Sequence, residues 1–390
     1  MVPKEPRTVI NDSNCSSGEM KRSGAAVLPL HPGHAPGWLI GRMKSLATQI
    51  VAVILEEYGR DELLARLSDT FWFQSLGCVL GYDWHSSGVT TVLTGVLREA
   101  VNPNCTGVAV CGGKGKRSNL TPAEIRRYGA EFKLSEEQVT RLERASRLVA
   151  KVDNAAIQAG YSLYHHAFIM TAEGKWAVVQ QGLDARDKTA RRYHWLGEHV
   201  HSFVVEPHDA IVCDKIRPAA LDMTSTESEE SRRVAVDLVK DGVEKFRREV
   251  LSVRTDSQRL LTDWMGHIPN RTFTNRMLNM PRHIDWDAMR RAYEFQPTNY
   301  QELLDMRGMG PGAIRALALV SQIIYGTEPS WRDPVRFSFA LGGKDGVPFP
   351  VDRPTYDQTI QQLSHIIENA RLERDEKYTA LKRLKAITPN

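Results

Sequence analysis

The spacing of apolar residues divides the chain into a helical beginning, a stretch of strands and a helical end. In the first 160 residues, apolar positions mostly recur every three or four residues, which is the period of amphipathic helices. This spacing predicts helices at about 38–58, 60–68, 70–80, 89–101, 121–131 and 135–159. After residue 230 the same spacing returns, and it predicts helices at about 230–249, 254–264, 285–293, 299–305 and 355–386.

Strands are predicted between these two helical parts. A short apolar run at 107–111 is typical of a buried strand. The runs 161–170 and 175–181 alternate around a turn at 172–174, which indicates a β-hairpin, and a further strand is predicted at 201–205. The fold class is therefore α+β and predominantly helical, with a small antiparallel sheet in the N-terminal half and a helical C-terminal domain.

Changes in composition indicate the domain boundaries. Residues 1–19 are polar and are predicted to be a disordered tail. The stretch 217–231, which contains Pro218 and a run of Ser, Thr and Glu, is predicted to be a linker. It separates a mixed domain at 20–216 from a helical domain at 232–390, in which the binding signal described next lies.

The stretch 299–326 carries the clearest binding signal. A short helix leads into the turn Gly308-Met309-Gly310-Pro311-Gly312, and a long apolar helix follows. We interpret it as a helix-hairpin-helix that holds DNA, because glycines let a phosphate approach the backbone and a helix N-terminus favours an anion. Arg307 and Arg315 flank the turn and are predicted to add contacts to phosphate. The alternative is an ordinary corner between two packed helices.

Overall composition narrows the class of protein only slightly. The net charge is +4, which permits a nucleic-acid partner without requiring one. The five cysteines include no C-x-x-C pair, so reduced thiols are expected rather than a disulfide framework or a zinc site. No secretory signal is visible, and the longest apolar run, 50–55, is too short to span a bilayer. We expect a cytoplasmic, nucleoid-associated protein with no membrane contact.

One group of basic residues is interleaved with aromatic residues. A protein that binds single-stranded or distorted DNA needs arginines that contact phosphates and exposed rings on which bases stack. On this basis the predicted DNA contacts are Lys188, Arg191, Arg192, Tyr193 and Trp195. Burial of the rings in the core is the alternative.

A lysine-rich loop offers a chemistry that needs no metal. The predicted strand at 107–111 opens into Gly112-Gly-Lys114-Gly-Lys116, a sequence suited to an anionic ligand, although the Walker spacing is absent. A lysine amine can attack the ring-opened aldehyde of an abasic site, and loss of the C2′ proton from the imine then expels the 3′ phosphate. Lys114 and Lys116 are the leading candidate amines, and Lys21 and Lys151 are the others.

Asp83 and His85 are further candidate catalytic residues, in the turn that follows the predicted helix at 70–80. They could join His165 and His194 around a metal ion, but no H-x-x-x-H or H-x-E signature is present. We predict no metal and no other cofactor. His165 and His166 are neighbours in a predicted strand, so their side chains should point to opposite faces.

Seven long motifs resemble the domain-of-unknown-function family 763 of archaea and bacteria. They are KRSGAAVLPLH (21–31), LGYDWHSSGVTT (80–91), GGKGK (112–116), YSLYHH (161–166), WAVVQQG (176–182), ARRYHW (190–195) and GGKDGVPFPVD (342–352). The resemblance implies a DNA-processing protein and, for at least some members, an abasic-site lyase on a fold unlike the standard glycosylases.

Together these observations predict a DNA repair enzyme that acts on damaged or abasic DNA, with abasic-site lyase activity as the leading hypothesis. A glycosylase step could precede it, with Trp84, Tyr164 or Trp195 lining a pocket for an extruded base. One alternative is a metal-dependent nuclease that uses Asp83 and His85. The other is a nucleic-acid-binding module without catalysis.

Overall fold

A five-stranded antiparallel sheet lies at the centre of the protein and carries helices on both faces. The computed structural model describes residues 37–82, 88–213, 216–253, 279–335 and 353–386. The helices are α1 (Gly37–Glu57), α2 (Gly59–Ser68), α3 (Thr70–Val79), α4 (Gly88–Ala100), α5 (Pro103–Thr106), α6 (Thr121–Glu131), α7 (Glu136–Lys151), α8 (Glu229–Lys240), α9 (Val243–Val253), α10 (Trp286–Phe295), α11 (Tyr300–Asp305), α12 (Pro311–Tyr325), α13 (Arg353–Asn369) and α14 (Arg374–Ala386).

The strands confirm the predicted fold class. The main sheet has the spatial order β1 (Val108–Lys114), β3 (Ser162–Thr171), β4 (Trp176–Asp184), β5 (Thr189–Leu196) and β6 (Ala210–Cys213). Each strand runs antiparallel to its neighbour. Two shorter strands, β2 (Ile157–Gln158) and β7 (Leu221–Asp222), form a separate antiparallel pair.

The predicted strand at 201–205 is wrong. Those residues form turns and bends, and the last two strands of the main sheet, β5 and β6, lie on either side of them. The pattern of apolar residues did not indicate β5 because the strand contains charged residues, although every residue of the strand is buried. The predicted hairpin is confirmed as β3 and β4, which are joined at 172–175.

One face of the sheet is covered by helices from both ends of the chain. Helices α2 and α4 contact strands, and α1, α3, α13 and α14 pack around them in a shared apolar core. By length and composition α1 could cross a bilayer, and it is the one such helix in the described ranges. Its residues Met43, Ile50 and Ile54 are fully buried in this core, which accounts for its apolar composition.

The other face is covered by α6 to α12, and its core extends across the predicted domain boundary. A single apolar cluster joins Ala109 on β1 to Val320 on α12. Residues 217–231, predicted to be a linker, contribute to this cluster through Leu221 and Met223, which are fully buried. Asp222 pairs with β2 and also bridges to Ser330. The predicted tail at 1–19 lies outside the described residues.

Candidate functional site

A cavity of about 390 Å³ opens where β1, β3 and α4 meet, and it contains the lysine-rich loop. Lys114 and Arg117 come from this loop, Thr94 and Arg98 from α4, and His165 from β3. Lys114 and His165 are directly opposite each other in the β1–β3 ladder, so their side chains leave the same face of the sheet. The predicted catalytic loop and one predicted histidine therefore belong to one site.

The shape of the loop is fixed by glycine and by a pair of charged residues. Gly112 has a φ of +85°, and a Cβ there would overlap the carbonyl oxygen of His166. The Glu124 carboxylate accepts a hydrogen bond from the Gly112 N–H at 2.6 Å and from Arg98 at 2.6 Å. Arg98 also donates to the Gly112 carbonyl at 2.9 Å. These hydrogen bonds fix the point at which the chain leaves the sheet, and Lys114 and Lys116 beyond it are exposed.

His165 forms the inner wall of the cavity as a neutral imidazole. Its side chain is almost fully buried, and Nε2 lies 3.0 Å from Thr94 Oγ1. The Thr94 hydroxyl donates to the Thr90 carbonyl at 2.8 Å, so the imidazole must donate through Nε2–H. Burial, with His166 and Lys114 close by, lowers the pKa of His165 to about 3. Nδ1 therefore keeps its lone pair, and it has no hydrogen-bond partner among the described residues.

The arginines at the cavity are only partly available to an anion. Arg98 and Arg117 share the Glu124 carboxylate, at 2.6 Å and 3.2 Å. Arg117 has the longer contact and is about half exposed, so it can turn toward a phosphate at small cost. At Gly115 no atom lies within 4 Å of the position a Cβ would take, which leaves the backbone of the loop open to a close approach.

Lys151 has a buried amine that is bonded to the protein itself. Burial lowers its pKa to about 8. Its Nζ donates to the Leu304 carbonyl at 2.8 Å, to the Met306 carbonyl, and to the Met309 carbonyl at 3.4 Å. The amine therefore braces the turn between α11 and α12 instead of lining the cavity.

Four predicted DNA contacts on β5 are wrong. Arg191, Arg192, Tyr193 and Trp195 are buried, because β5 is flanked by β4 and β6 and is covered by helices on both faces. Arg191 pairs with Asp333, and the Arg192 guanidinium lies over a Phe73 ring and donates to Gln74. Lys188, in the turn before β5, is exposed, and its contact with DNA stays a prediction.

The glycine turn at 306–310 joins α11 to α12 as the sequence predicts, but its glycines make internal contacts. Gly308 has a φ of +90°, and a Cβ there would lie 2.7 Å from Ala288 Cβ. At Gly312 a Cβ would overlap the carbonyl oxygen of His283, and the Gly310 N–H donates to the Gly308 carbonyl. These contacts account for the glycines without a ligand, so the DNA-holding role stays a prediction.

The two arginines beside this turn differ in exposure. Arg307 is exposed, as a phosphate contact requires. Arg315 is half-buried, lies over the Trp331 ring and donates to the Asn279 carbonyl at 3.0 Å. Only Arg307 is presented to solvent as the sequence analysis expected.

Three other predicted catalytic residues, Lys21, Asp83 and His85, lie outside the described residues. Within the ranges that are described, no group of three His, Cys, Asp or Glu side chains could hold a metal ion. The nuclease hypothesis therefore stays a prediction. The sequence analysis missed Thr94, Arg98 and Glu124, since each reads locally as an ordinary helix residue and only the fold brings it to the loop.

Comparison with known proteins identifies a family model. A sequence model described as a protein of unknown function, DUF763, matches residues 24–351, which is most of the chain. No curated protein matches the chain. No solved structure matches it either.

Proposed function

The chain belongs to the DUF763 family, whose description names no activity, and we propose from the cavity at β1 that it is an abasic-site DNA lyase with Lys114 as the reacting amine. One observation carries the proposal: an exposed lysine stands opposite a buried neutral histidine at a cavity beside a basic loop. An aldehyde flanked by phosphates is the substrate that suits this combination, because the amine reacts with the aldehyde and the basic groups bind phosphate.

Each group has a defined part in the reaction. The Lys114 amine adds to the C1′ aldehyde of the opened sugar, and loss of water gives an imine. Water in the cavity takes the C2′ proton, because the Nε2–H of His165 donates to Thr94 and its Nδ1 is buried. Elimination breaks the bond to the 3′ phosphate oxygen, and water then hydrolyses the conjugated imine and returns Lys114. Arg117 and Lys116 bind the flanking phosphates.

The first test uses a DNA duplex with one abasic site, incubated with the protein in EDTA. With borohydride present, we expect a covalent protein–DNA adduct, and without it a cut strand. The Lys114→Ala variant should lose adduct formation by at least about 100-fold, because the covalent step is removed. Lys385→Ala, at an exposed position on α14, is the matched control and should react like the parent.

His165→Gln tests whether the buried imidazole takes part in the chemistry. This variant should form the adduct and cut the strand like the parent, because neither ring nitrogen reaches the substrate. An adduct that survives in Lys114→Ala and disappears in Lys116→Ala or Lys151→Met would assign the amine to that lysine. Cleavage that requires added Mg²⁺ or Mn²⁺, with no adduct, would reject the lyase and favour the nuclease that uses Asp83 and His85. Salt-dependent binding without cleavage would favour the binding module.

A further inference from the structure

A second cavity, of about 460 Å³, lies between β3, α7 and the start of α6, and it contains a serine and a histidine that the lyase proposal does not use. Ser146 and His166 are on its wall and are 4% and 6% exposed. Ser146 Oγ lies 2.9 Å from His166 Nε2. Both groups are therefore deep in the structure and still at the edge of an open space.

The hydrogen bond of Ser146 differs from what is usual for a helical hydroxyl. Buried serines and threonines in helices commonly donate to the carbonyl four residues earlier. Ser321 does this to Leu317 at 2.7 Å, and Thr94 does it to Thr90 at 2.8 Å. Ser146 is bonded to an imidazole on a different element instead, which places a base next to its hydroxyl.

Neighbouring groups fix the direction of this bond. The Gln180 amide donates through Nε2 to the Val149 carbonyl at 3.1 Å and to the Asp153 carboxylate. Its Oε1 therefore faces His166 Nδ1, at 2.7 Å, and must accept a proton from it. His166 Nε2 is left with its lone pair, so the Ser146 hydroxyl is the donor in the bond between them.

The chain of donors ends at a buried carboxylate. Asp153 also accepts from Trp195 Nε1 at 3.0 Å and is bonded to His208. Burial lowers the pKa of His166, so it is neutral and able to accept a proton at neutral pH. When it does, the Gln180 carbonyl and the Asp153 charge behind it stabilise the imidazolium. This is the arrangement in which a base activates a serine and is itself oriented by a third group.

We propose that Ser146 and His166 form a second catalytic site, in which Ser146 is the nucleophile and His166 the general base for hydrolysis of small neutral carboxylic esters. Its reacting groups differ from those of the Lys114 site, although His165 lines both cavities. Charges at the rim favour a neutral substrate because they are already paired: Arg147 binds Asp305 at 2.6 Å, and Glu143 binds Arg126 at 2.7 Å. Apolar wall is supplied by Leu163, Tyr164 and Pro122.

The reaction balances with water as the only co-reactant. Ser146 Oγ bonds to the ester carbonyl carbon as its proton passes to His166 Nε2, and we assign stabilisation of the oxyanion to Asn119, which lines the same cavity. The carbon–oxygen bond to the alcohol then breaks, and the alcohol leaves with the proton from His166. Water, deprotonated by the same nitrogen, hydrolyses the acyl-serine and releases the acid, and His166 returns the proton to Ser146 Oγ.

The test uses the full chain, a fluorophosphonate label and p-nitrophenyl acetate. We expect covalent labelling that peptide mass spectrometry locates at Ser146, together with ester hydrolysis. Ser146→Ala should lose both, and His166→Gln should reduce hydrolysis by about 100-fold. Ser118→Ala is the matched control, because Ser118 lines the same cavity but donates to the Gly115 carbonyl at 2.7 Å, and it should behave like the parent.

Localising the label in the parent protein needs no variant, so the test holds even if Ser146→Ala fails to fold. No labelling of the parent, labelling at another residue, or equal hydrolysis by Ser146→Ala would overturn the proposal. Lys114→Ala should retain the label, and Ser146→Ala should retain the borohydride adduct with abasic DNA, so the failure of one site is distinguishable from the failure of the other.

Discussion

His165 and His166 show what a strand pattern predicts about single residues and what it leaves open. As neighbours on β3 they point to opposite faces, as the sequence analysis expected: His165 meets Thr94 on α4, and His166 meets Ser146 on α7. The partners themselves could not be predicted, since Thr94 is 71 positions from His165 in the chain. Thr94 decides which ring nitrogen of His165 carries the proton, and Gln180 decides it for His166.

Burial of neutral His165 should make folding stability depend on pH. Its pKa is about 3 in the folded protein and 6.5 by its ordinary value, so below pH 6.5 the unfolded chain binds a proton that the folded one does not. Stability is therefore lost as pH falls through this window, by about 2 kcal/mol at pH 5 from this residue alone. Urea unfolding near neutrality and at about pH 5 measures the loss.

In His165→Gln, the drop in unfolding free energy between the two pH values should be smaller than in the parent by about that 2 kcal/mol. His201→Gln, at an exposed histidine, is the control and should show the parent's full drop. An equal drop in His165→Gln and the parent would contradict a neutral, buried His165.

At the scale of elements, the sequence predicts helices better than the contacts between them. The order of short helix, glycine turn and long helix at 299–326 is confirmed as α11 and α12. The packing of Gly308 against α10 and the amine of Lys151 under the turn were not predictable, because both depend on segments that are distant in sequence. A motif that suggests a ligand can thus be explained by internal packing.

The turn between α11 and α12 should depend on Lys151. Lys151→Met keeps the length of the side chain but removes the amine donor from the Leu304, Met306 and Met309 carbonyls, of which Met306 still accepts from the Met309 N–H. We expect the free energy of unfolding to fall by about 2 kcal/mol, the usual cost of losing hydrogen bonds to a charged group. Chemical denaturation measures it.

Arg144→Met, on the same helix, is the control for Lys151→Met. Arg144 is about half exposed, and its bond to Asp305 at 3.0 Å lies at the surface, so its loss should cost less than about 1 kcal/mol. If the two variants lose the same stability, the amine of Lys151 does not brace the turn.

For the whole molecule, hydrophobic spacing predicts the α+β class, which is confirmed, while the division into domains stays a prediction. The prediction of two domains relied on the polar composition of 217–231, while the structure joins both parts through one apolar cluster. Leu221 and Met223 are isolated apolar residues in a polar stretch, so no periodic pattern indicated their burial. The sequence analysis did not predict strand β5, because its arginines are charged residues that are buried only through partners elsewhere in the chain.

One of those partners gives a test of how the two parts of the chain are joined. Arg191 on β5 and Asp333, which follows α12, have fully buried side chains whose charged atoms lie 2.6 Å apart. Asp333→Ala leaves a buried guanidinium without its carboxylate, and we expect a loss of about 3–5 kcal/mol in unfolding free energy. Replacing both residues, as Arg191→Met with Asp333→Leu, removes the uncompensated charge and should recover most of that loss.

Denaturation of Asp333→Ala should be followed by tryptophan fluorescence and by far-ultraviolet circular dichroism. Because the apolar cluster runs from β1 to α12, we expect the two signals to change together, at a lower denaturant concentration than in the parent. An early transition confined to part of the signal would mean that the segments after residue 217 unfold on their own and that the predicted division into domains describes the folding units after all. If the two transitions coincide, the Arg191–Asp333 pair is a contact inside one cooperative unit. The pair then holds β5 and the segment after α12 in place together.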